Sequence, residues 1–497
     1  MLDQTPSPEQ PTTKTASRRG LVLAAAMIAM FMAAVESSII ATAMPTIVAQ
    51  LGGFQLFSWA FSAYLLTQTV TIPIYGRLAD LYGRKRVFYV GTGIFLVGSL
   101  LCGFAVNMIS LIAFRAIQGL GAGAILPVAT TIIGDIYTGE ERAKLQGYLS
   151  SVWGIAAIVG PSLGAFLIAH AHWEIIFWLN VPIGLVAIVM IALFLHEHRV
   201  PRQHDVDYTG AVLMMSGVGL LMFVMTEADD FSPVMIAGMT IVALGLIAIM
   251  IQRERRAKEP ILPLHLWRDR VLSISNLSGL GIGAVMMAGT AFLPTYIQGV
   301  LGLSAGIAGV VLTVMSLSWS FASTISGQIM IRSSFWLTGL LGGILIFAGA
   351  AMMAIMTPTL GLPWAIAAST LMGMGLGACN TTFLVAIQSH VDWQSRGIAT
   401  SSNLFARMMG RSLGAALFGA ILNFGINRQL PQSGDVLDRL MDPAFREQFS
   451  PTEMQHLLSV IAASLHDVYL VAALLAAVTL AVIVCFPRGL RPSTKVR

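Results

Sequence analysis

The group in this chain best placed to do chemistry is a single carboxylate. Between Arg19 and Arg77 the only Asp, Glu, Lys, Arg or His is Glu36, set inside the apolar run LVLAAAMIAMFMAAVESSIIATAM (Leu21 to Met44). Inside a bilayer such a group costs at least ~2.5 to 3.5 kcal/mol, so it must face a cavity, a partner or a proton path. The chemistry open to it is uptake and release of a proton. Arg115, in the run LIAFRAIQGLGAG (Leu111 to Gly123), is its natural modulator. Opposite charge lowers a carboxyl pKa and desolvation raises it, so movement of Arg115 relative to Glu36 would release or capture that proton. The alternative for Arg115 is a snorkelling side chain near a helix end marked by Asn107 and Met108. Two further arginines, Arg407 and Arg411, stand four residues apart and so share one face of a helix. They could bind an anionic group, face a water-filled cavity or pair with loop acids.

The elements that must carry these residues are membrane helices. Hydrophobic residues make up 56% of the 497 and charged residues 11%, against roughly 25% charged in an average soluble domain; mean hydropathy is +0.78. A span needs about 20 apolar residues, and fourteen such runs can be read along the chain. The expected organisation is all-α and six plus two plus six. Residues 1–19 form a disordered polar tail, 20–198 the first six helices and 199–258 two inserted helices. Residues 259–486 form the second six helices, with an outer loop over 425–465 in which Pro451 and Thr452 open a short amphipathic helix, and 487–497 form a tail. No signal-peptide pattern precedes the first span.

Basic residues orient the whole. Of the 29 Lys and Arg, Arg428, Arg439 and Arg446 fall on one side and Arg115, Arg407 and Arg411 within spans; all others fall on the side of the termini. The positive-inside rule makes both termini cytoplasmic. The net charge of +5 is explained by this asymmetry, so no nucleic-acid partner is implied. Cys102, Cys379 and Cys485 have unrelated spacings, which argues against a disulfide or a metal site. The chain contains no HExxH or Walker loop, so neither an enzyme nor an ATP-driven pump is expected.

Several loops and helix faces repeat a known pattern. GRLADLYGRKR (Gly76 to Arg86), with Gly76, Asp80, Gly83, Arg84 and Lys85, resembles the signature cytoplasmic loop of the major facilitator superfamily, and GQIMIR (Gly327 to Arg332) is a degenerate copy without the acid. LIAFRAIQGLGAG resembles its helix-four motif. GIAAIVGPSLGA, with Gly154, Gly160, Pro161 and Gly164, resembles the helix-five motif of its exporters, although the packing physics alone reads only as small residues that let helices approach. WEIIFWLNVPIG (Trp173 to Gly184) and DYTG (Asp207 to Gly210) resemble the fourteen-helix drug:proton antiporter family in particular.

That resemblance implies a multidrug efflux protein of the bacterial inner membrane, powered by the proton gradient without a cofactor. It implies that Asp80 docks near the N-terminus of the helix beginning at Ile398, where the dipole favours an anion. No acid occurs between Asp269 and Asp392. Relatives exporting dications need a carboxylate there, so the expected substrates are neutral, monocationic or zwitterionic lipophiles that compete with the proton at Glu36. Candidate cavity residues are Trp59, Tyr64, Trp153, Tyr296, Gln298, Trp319, Asn380, Phe383, Arg407 and Arg411, among 27 methionines that repack easily. Arg411 stands where the family pattern carries a second glycine, which favours as alternative a dedicated exporter of one anionic or zwitterionic metabolite. A receptor or lipid-modifying protein on the same fold is the other alternative, and would require a soluble domain or clustered catalytic residues. The reading is compatible with a periplasmic adaptor extending the path across an outer membrane.

Overall fold

The computed structural model describes residues 18–52, 56–197, 207–226, 231–256, 260, 268–429 and 451–492, and every regular element in them is helical. The expected tail over 1–17 and most of the expected outer loop, 430–450, lie outside the described residues. The helices are α1 (Arg19–Leu51), α2 (Phe57–Tyr82), α3 (Arg84–Cys102), α4 (Met108–Ile136) and α5 (Gly139–His170). After these come α6 (Glu174–Trp178), α7 (Asn180–Phe194), α8 (Tyr208–Thr226) and α9 (Pro233–Glu254). The remainder are α10 (Arg270–Met287), α11 (Leu293–Gly299), α12 (Ala305–Arg332), α13 (Phe335–Ala354), α14 (Gly361–His390), α15 (Arg396–Gln429) and α16 (Pro451–Val484).

Among the described residues, twelve helices are long and apolar enough to cross a membrane. The sequence reading expects fourteen. The difference lies in α2, which carries Thr67, Gln68, Thr69 and Thr71 within five residues and is not among the twelve, and in α8, whose apolar run Thr209–Met225 is shorter. A second difference concerns Pro451. It does not open a short separate helix; it starts α16, which runs unbroken for 34 residues. The physical reason is in the sequence: no Gly or Pro interrupts positions 452–486, and Pro is well tolerated only in a helix's first turn.

Local chemistry sets the helix ends. Thr138 and Glu141 form a reciprocal capping box that starts α5, and Asn107 with Ser110 does the same for α4. Asp269 caps α10 through the backbone N–H groups of Val271 (2.9 Å) and Leu272 (3.1 Å). Gly83 joins α2 to α3 with φ 92°, a left-handed conformation that favours glycine. In the middle of the span Arg270–Gly299, a π-helical turn over Ala288–Phe292 precedes Pro294. Proline supplies no N–H and its ring crowds the carbonyl four residues back, which accounts for widening there.

The apolar residues gather in separate cores. One is built by α10 to α16, joined from elsewhere only by Ala143 of α5. Another is built by α1, α2, α3, α4 and α7. α8 and α9 pack on each other, and Met214, Val218 and Met222 of α8 cluster with Val70 of α2 and Phe405 of α15. Asp207, from the DYTG motif, accepts from the Gly210 N–H (3.0 Å) and from Arg253 Nε (2.9 Å), clipping the start of α8 to the end of α9.

Candidate functional site

Glu36 is wholly buried on α1. Its Oε1 accepts from Arg115 Nη1 at 2.6 Å and from Gln118 Nε2 at 3.0 Å, both on α4. Its Oε2 accepts from Asn180 Nδ2 at 2.6 Å, on α7. Ser99 of α3 completes the cluster, accepting from Gln118 (3.1 Å) and Asn180 (2.9 Å) and donating to the Phe177 carbonyl (2.8 Å). Arg115 donates further to the Ala60 carbonyl of α2 (3.1 Å) and to Gln118 Oε1 (2.7 Å), and its guanidinium lies 4.2 Å from the centre of the Tyr64 ring. Every charge in the cluster therefore has a partner, as a buried ion pair requires. Arg115 points inward and does not snorkel.

Between the two groups of helices lies a cavity of about 250 Å³. Trp153, Trp319, Asn380, Arg407 and Arg411 of the sequence candidates line it, as does Gly154 of the helix-five motif. Glu36 does not, so the expectation that proton and substrate meet at this carboxylate is not the geometry found. Trp59 instead lies between α2 and α8, its ring 5.1 Å from that of Phe223. Tyr64 is engaged beneath Arg115, Tyr296 lies 6.2 Å from Tyr469, and Phe383 lies 5.7 Å from Phe486; none of the three lines the cavity, and neither does Gln298 of α11. These aromatic rings fill helix contacts because bulk and apolarity serve packing as well as binding. Gly160 packs α5 against Ser38 of α1, two residues beyond Glu36, and Ser38 donates to the Ala156 carbonyl (3.1 Å). Gly164 is buried on the same helix, and Pro161 lies within it.

A polar clasp joins the two groups of helices. Asp80 Oδ1 and Oδ2 accept from the backbone N–H groups of Gly397 (2.9 Å) and Ile398 (2.8 Å), in the first turn of α15. Arg84 reaches Asp80 (2.8 Å), lies 2.9 Å from Asp135 Oδ2 and donates to the Trp393 carbonyl (2.6 Å). Arg396 donates to Asp135 Oδ1 (2.6 Å) and to the Gly134 carbonyl (2.9 Å). Gly76 is required by contact: a Cβ there would collide with the Ser401 side chain. Lys85 has a different place, donating to the Ala192 and Leu195 carbonyls at the end of α7, within its own group of helices.

The clasp has a second arm in the same register. Gly327 abuts the Ala143 backbone as Gly76 abuts that of Gly397, and Arg142 reaches Gln388 (3.4 Å) and Ser389 (3.3 Å) as Arg396 reaches Gly134 and Asp135. Ile331 and Ser389 stand where Asp80 and Asp135 stand in the first arm, so one arm is ionic and the other neutral. The bonds of both arms, with that of Gln388 to the Thr130 carbonyl (3.2 Å) and of Ser150 to Ser323 (3.0 Å), join the two groups of helices at the clasp end.

Sequence reasoning missed Gln118 and Asn180, although both stand in quoted motifs as single amides in apolar runs. It also missed Asp135, Arg396, Arg142 and Gln388, which become a site only when α4, α5, α14 and α15 meet.

A family model described as Major Facilitator Superfamily matches residues 26–415. The chain is 35% identical over 412 residues to the Multidrug transporter protein MdtP of Bacillus subtilis, covering 82% of this chain and 76% of that one. It is 36% identical over 414 residues to Multidrug resistance protein 3 of the same organism, covering 82% and 80%. Among solved structures, the human organic anion transporter MFSD10 (TETRAN) superposes with a TM-score of 0.61 over 92% of this chain and 99% of the other at 12% identity, a likeness of fold alone. With helices in this order, a cavity between two groups of them and a clasp on the motif loop, the chain belongs to the Major Facilitator Superfamily.

Proposed function

We propose that this protein exports lipophilic small molecules across the bacterial inner membrane by alternating access, in exchange for protons. The observation that carries the reading is the cavity between two helix groups that the paired polar arms of the clasp join at one end. A rocking motion about such a cavity closes the other end when the clasp opens. Relatives at 35% and 36% identity bear names of multidrug transport and resistance, which supports outward movement of varied compounds. On this reading α2 and α8 are also spans, giving six plus two plus six with both termini cytoplasmic, and the clasp closes the cytoplasmic side.

Glu36 supplies the proton step. Protonation removes the charge that holds Arg115, Gln118 and Asn180 together, and so loosens α1 from α4 and α7. α1 also carries Met30 into the cavity wall and packs on α5 at Ser38 and Gly160, so a shift of α1 reaches the substrate without contact between substrate and proton. Proton and substrate are coupled through the helix. One proton crossing ~100 mV contributes about 2.3 kcal/mol, enough for roughly a fifty-fold gradient of a neutral compound.

Purified protein in liposomes holding an imposed pH gradient tests this. Substrate added on the clasp side should collapse the gradient; substrate movement with no proton movement would show facilitated diffusion instead.

A further inference from the structure

Charge accounting around the cavity leaves two cations over. Leu404, Arg407, Met408 and Arg411 all line it, a three-and-four spacing that turns one face of α15 to the cavity. The flank beside that face carries Gly410 and Gly414, packed against the backbone of Leu280 and Ala284 on α10. With 1.5 Å of rise per residue, Arg407 and Arg411 stand about 16 and 22 Å along the helix from its clasp end. That is mid-bilayer depth, where an ionised side chain faces a partner or a substrate path.

Among the described residues no acid lines the cavity, and neither arginine has a carboxylate within ion-pair distance. The nearby acids are already taken: Glu36 by Arg115, Asp80 by Arg84 and the α15 amides, Asp135 by Arg84 and Arg396. The rest of the wall is apolar and polarisable, with Trp153, Trp319, Met30, Met286 and Met315. Neutral hydrogen-bonding groups, among them Asn380 and Gln146, complete it.

We infer that the cavity is a binding site for amphiphilic organic anions, whose carboxylate or other monoanionic head is held by Arg407 and Arg411 and whose apolar body lies on the tryptophans and methionines. This names the substrate class of the export site and rests on that reading for transport, though not for binding. Two guanidinium groups on one helix face offer forked donors matched to a carboxylate. A monocation of equal size would meet uncompensated like charge, so on this inference the cavity disfavours monocations.

The test uses one apolar body in three charge states: 1-naphthaleneacetate, its neutral amide, and 1-naphthylmethylammonium. Equilibrium binding of each is measured on the full chain in lipid nanodiscs, where no transport is needed. The acid should bind at least ten-fold more tightly than the amide, and the ammonium more weakly still. Arg407→Gln and Arg411→Gln should each erase the preference for the acid while leaving the amide's affinity within a few-fold. Arg411→Lys, which keeps the charge, should retain part of it and serves if a glutamine variant does not fold. Equal or tighter binding of the amide or the ammonium, no binding of the acid, or a preference that survives both glutamine variants overturns the inference. Arginine-dependent binding of the acid without export in liposomes upholds the anion site and refutes the export reading. Proton-coupled export of the amide with no preference for the acid does the reverse.

Discussion

Replacing Asp80 by Asn should open the clasp. In the closed state the Asp80 carboxylate accepts two backbone N–H bonds at the start of α15 and one from Arg84, all between 2.8 and 2.9 Å. Hydrogen bonds to a charged group contribute ~1.5 to 3 kcal/mol each. Asn with its oxygen in the Oδ1 place keeps the bonds from Gly397 and Arg84, without the charge that strengthened them, while its NH2 group faces the Ile398 N–H and loses that bond. Loss of the Ile398 bond to a charged acceptor destabilises the closed clasp by about 1.5 to 3 kcal/mol, roughly ten- to a hundred-fold in the closed-to-open ratio. Loss of an anion from a helix N-terminus acts in the same direction. Spin labels at Lys144 and Arg332, exposed on α5 and α12 at this end, report the ratio by pulsed dipolar spectroscopy once the exposed Cys485 is replaced by Ser. The variant should show a longer, broader distance where the parent shows one short distance. An unchanged distribution in Asp80→Asn would refute the claim that this carboxylate holds the clasp shut.

Three further outcomes follow from the same contacts. Gly76→Ala forces a methyl group against Ser401 and the Gly397 carbonyl; overpacking of this kind costs ~1 to 3 kcal/mol, so the same labels should report opening, and Gly327→Ala should match it through Ala143. Asn180→Leu leaves Glu36 Oε2 without its 2.6 Å donor, and a buried unsatisfied acceptor costs ~1 to 3 kcal/mol, so the melting temperature should fall in a thermal unfolding assay; an unchanged value would mean that another donor replaces it. At the start of α10, burial pushes the Asp269 carboxyl up, but the His390 ring and the Leu272 and Val271 N–H groups outweigh it and hold it below its ordinary value. A depressed carboxyl stabilises above its unfolded pKa and loses that contribution only as pH falls through the lower folded value. Asp269→Ala should therefore cost ~0.5 to 2 kcal/mol throughout pH 5 to 8, and the cost should shrink only below about pH 4.

The legible parts of this molecule were those governed by solvent. Apolar runs gave the all-helical class and the order of the helices, because a bilayer tolerates little else. Lone charges in those runs gave Glu36, Arg115, Arg407 and Arg411, because each is too costly to be incidental. Asp80 was legible through its motif and its electrostatics together, and the structure places it on the helix start that the dipole argument selects. Which charges meet was harder to read. Arg115 pairs with Glu36 across 79 residues and Arg396 with Asp135 across 261, and no local pattern encodes such a pairing. Aromatic residues were the least legible: Trp153 and Trp319 face the cavity while Trp59 and Phe383 fill helix contacts, and nothing in residue type separates the two roles.

The central claim is that the Glu36 to Arg115 pair carries the proton while substrate binds elsewhere. Glu36→Gln keeps the side chain's size and an oxygen for Arg115 but cannot titrate. The decisive measurement compares two rates for this variant in liposomes: exchange of labelled for unlabelled substrate, which needs only alternating access, and substrate-driven proton release. The account predicts exchange close to the parent rate with proton release abolished. Proton release undiminished in Glu36→Gln would contradict it.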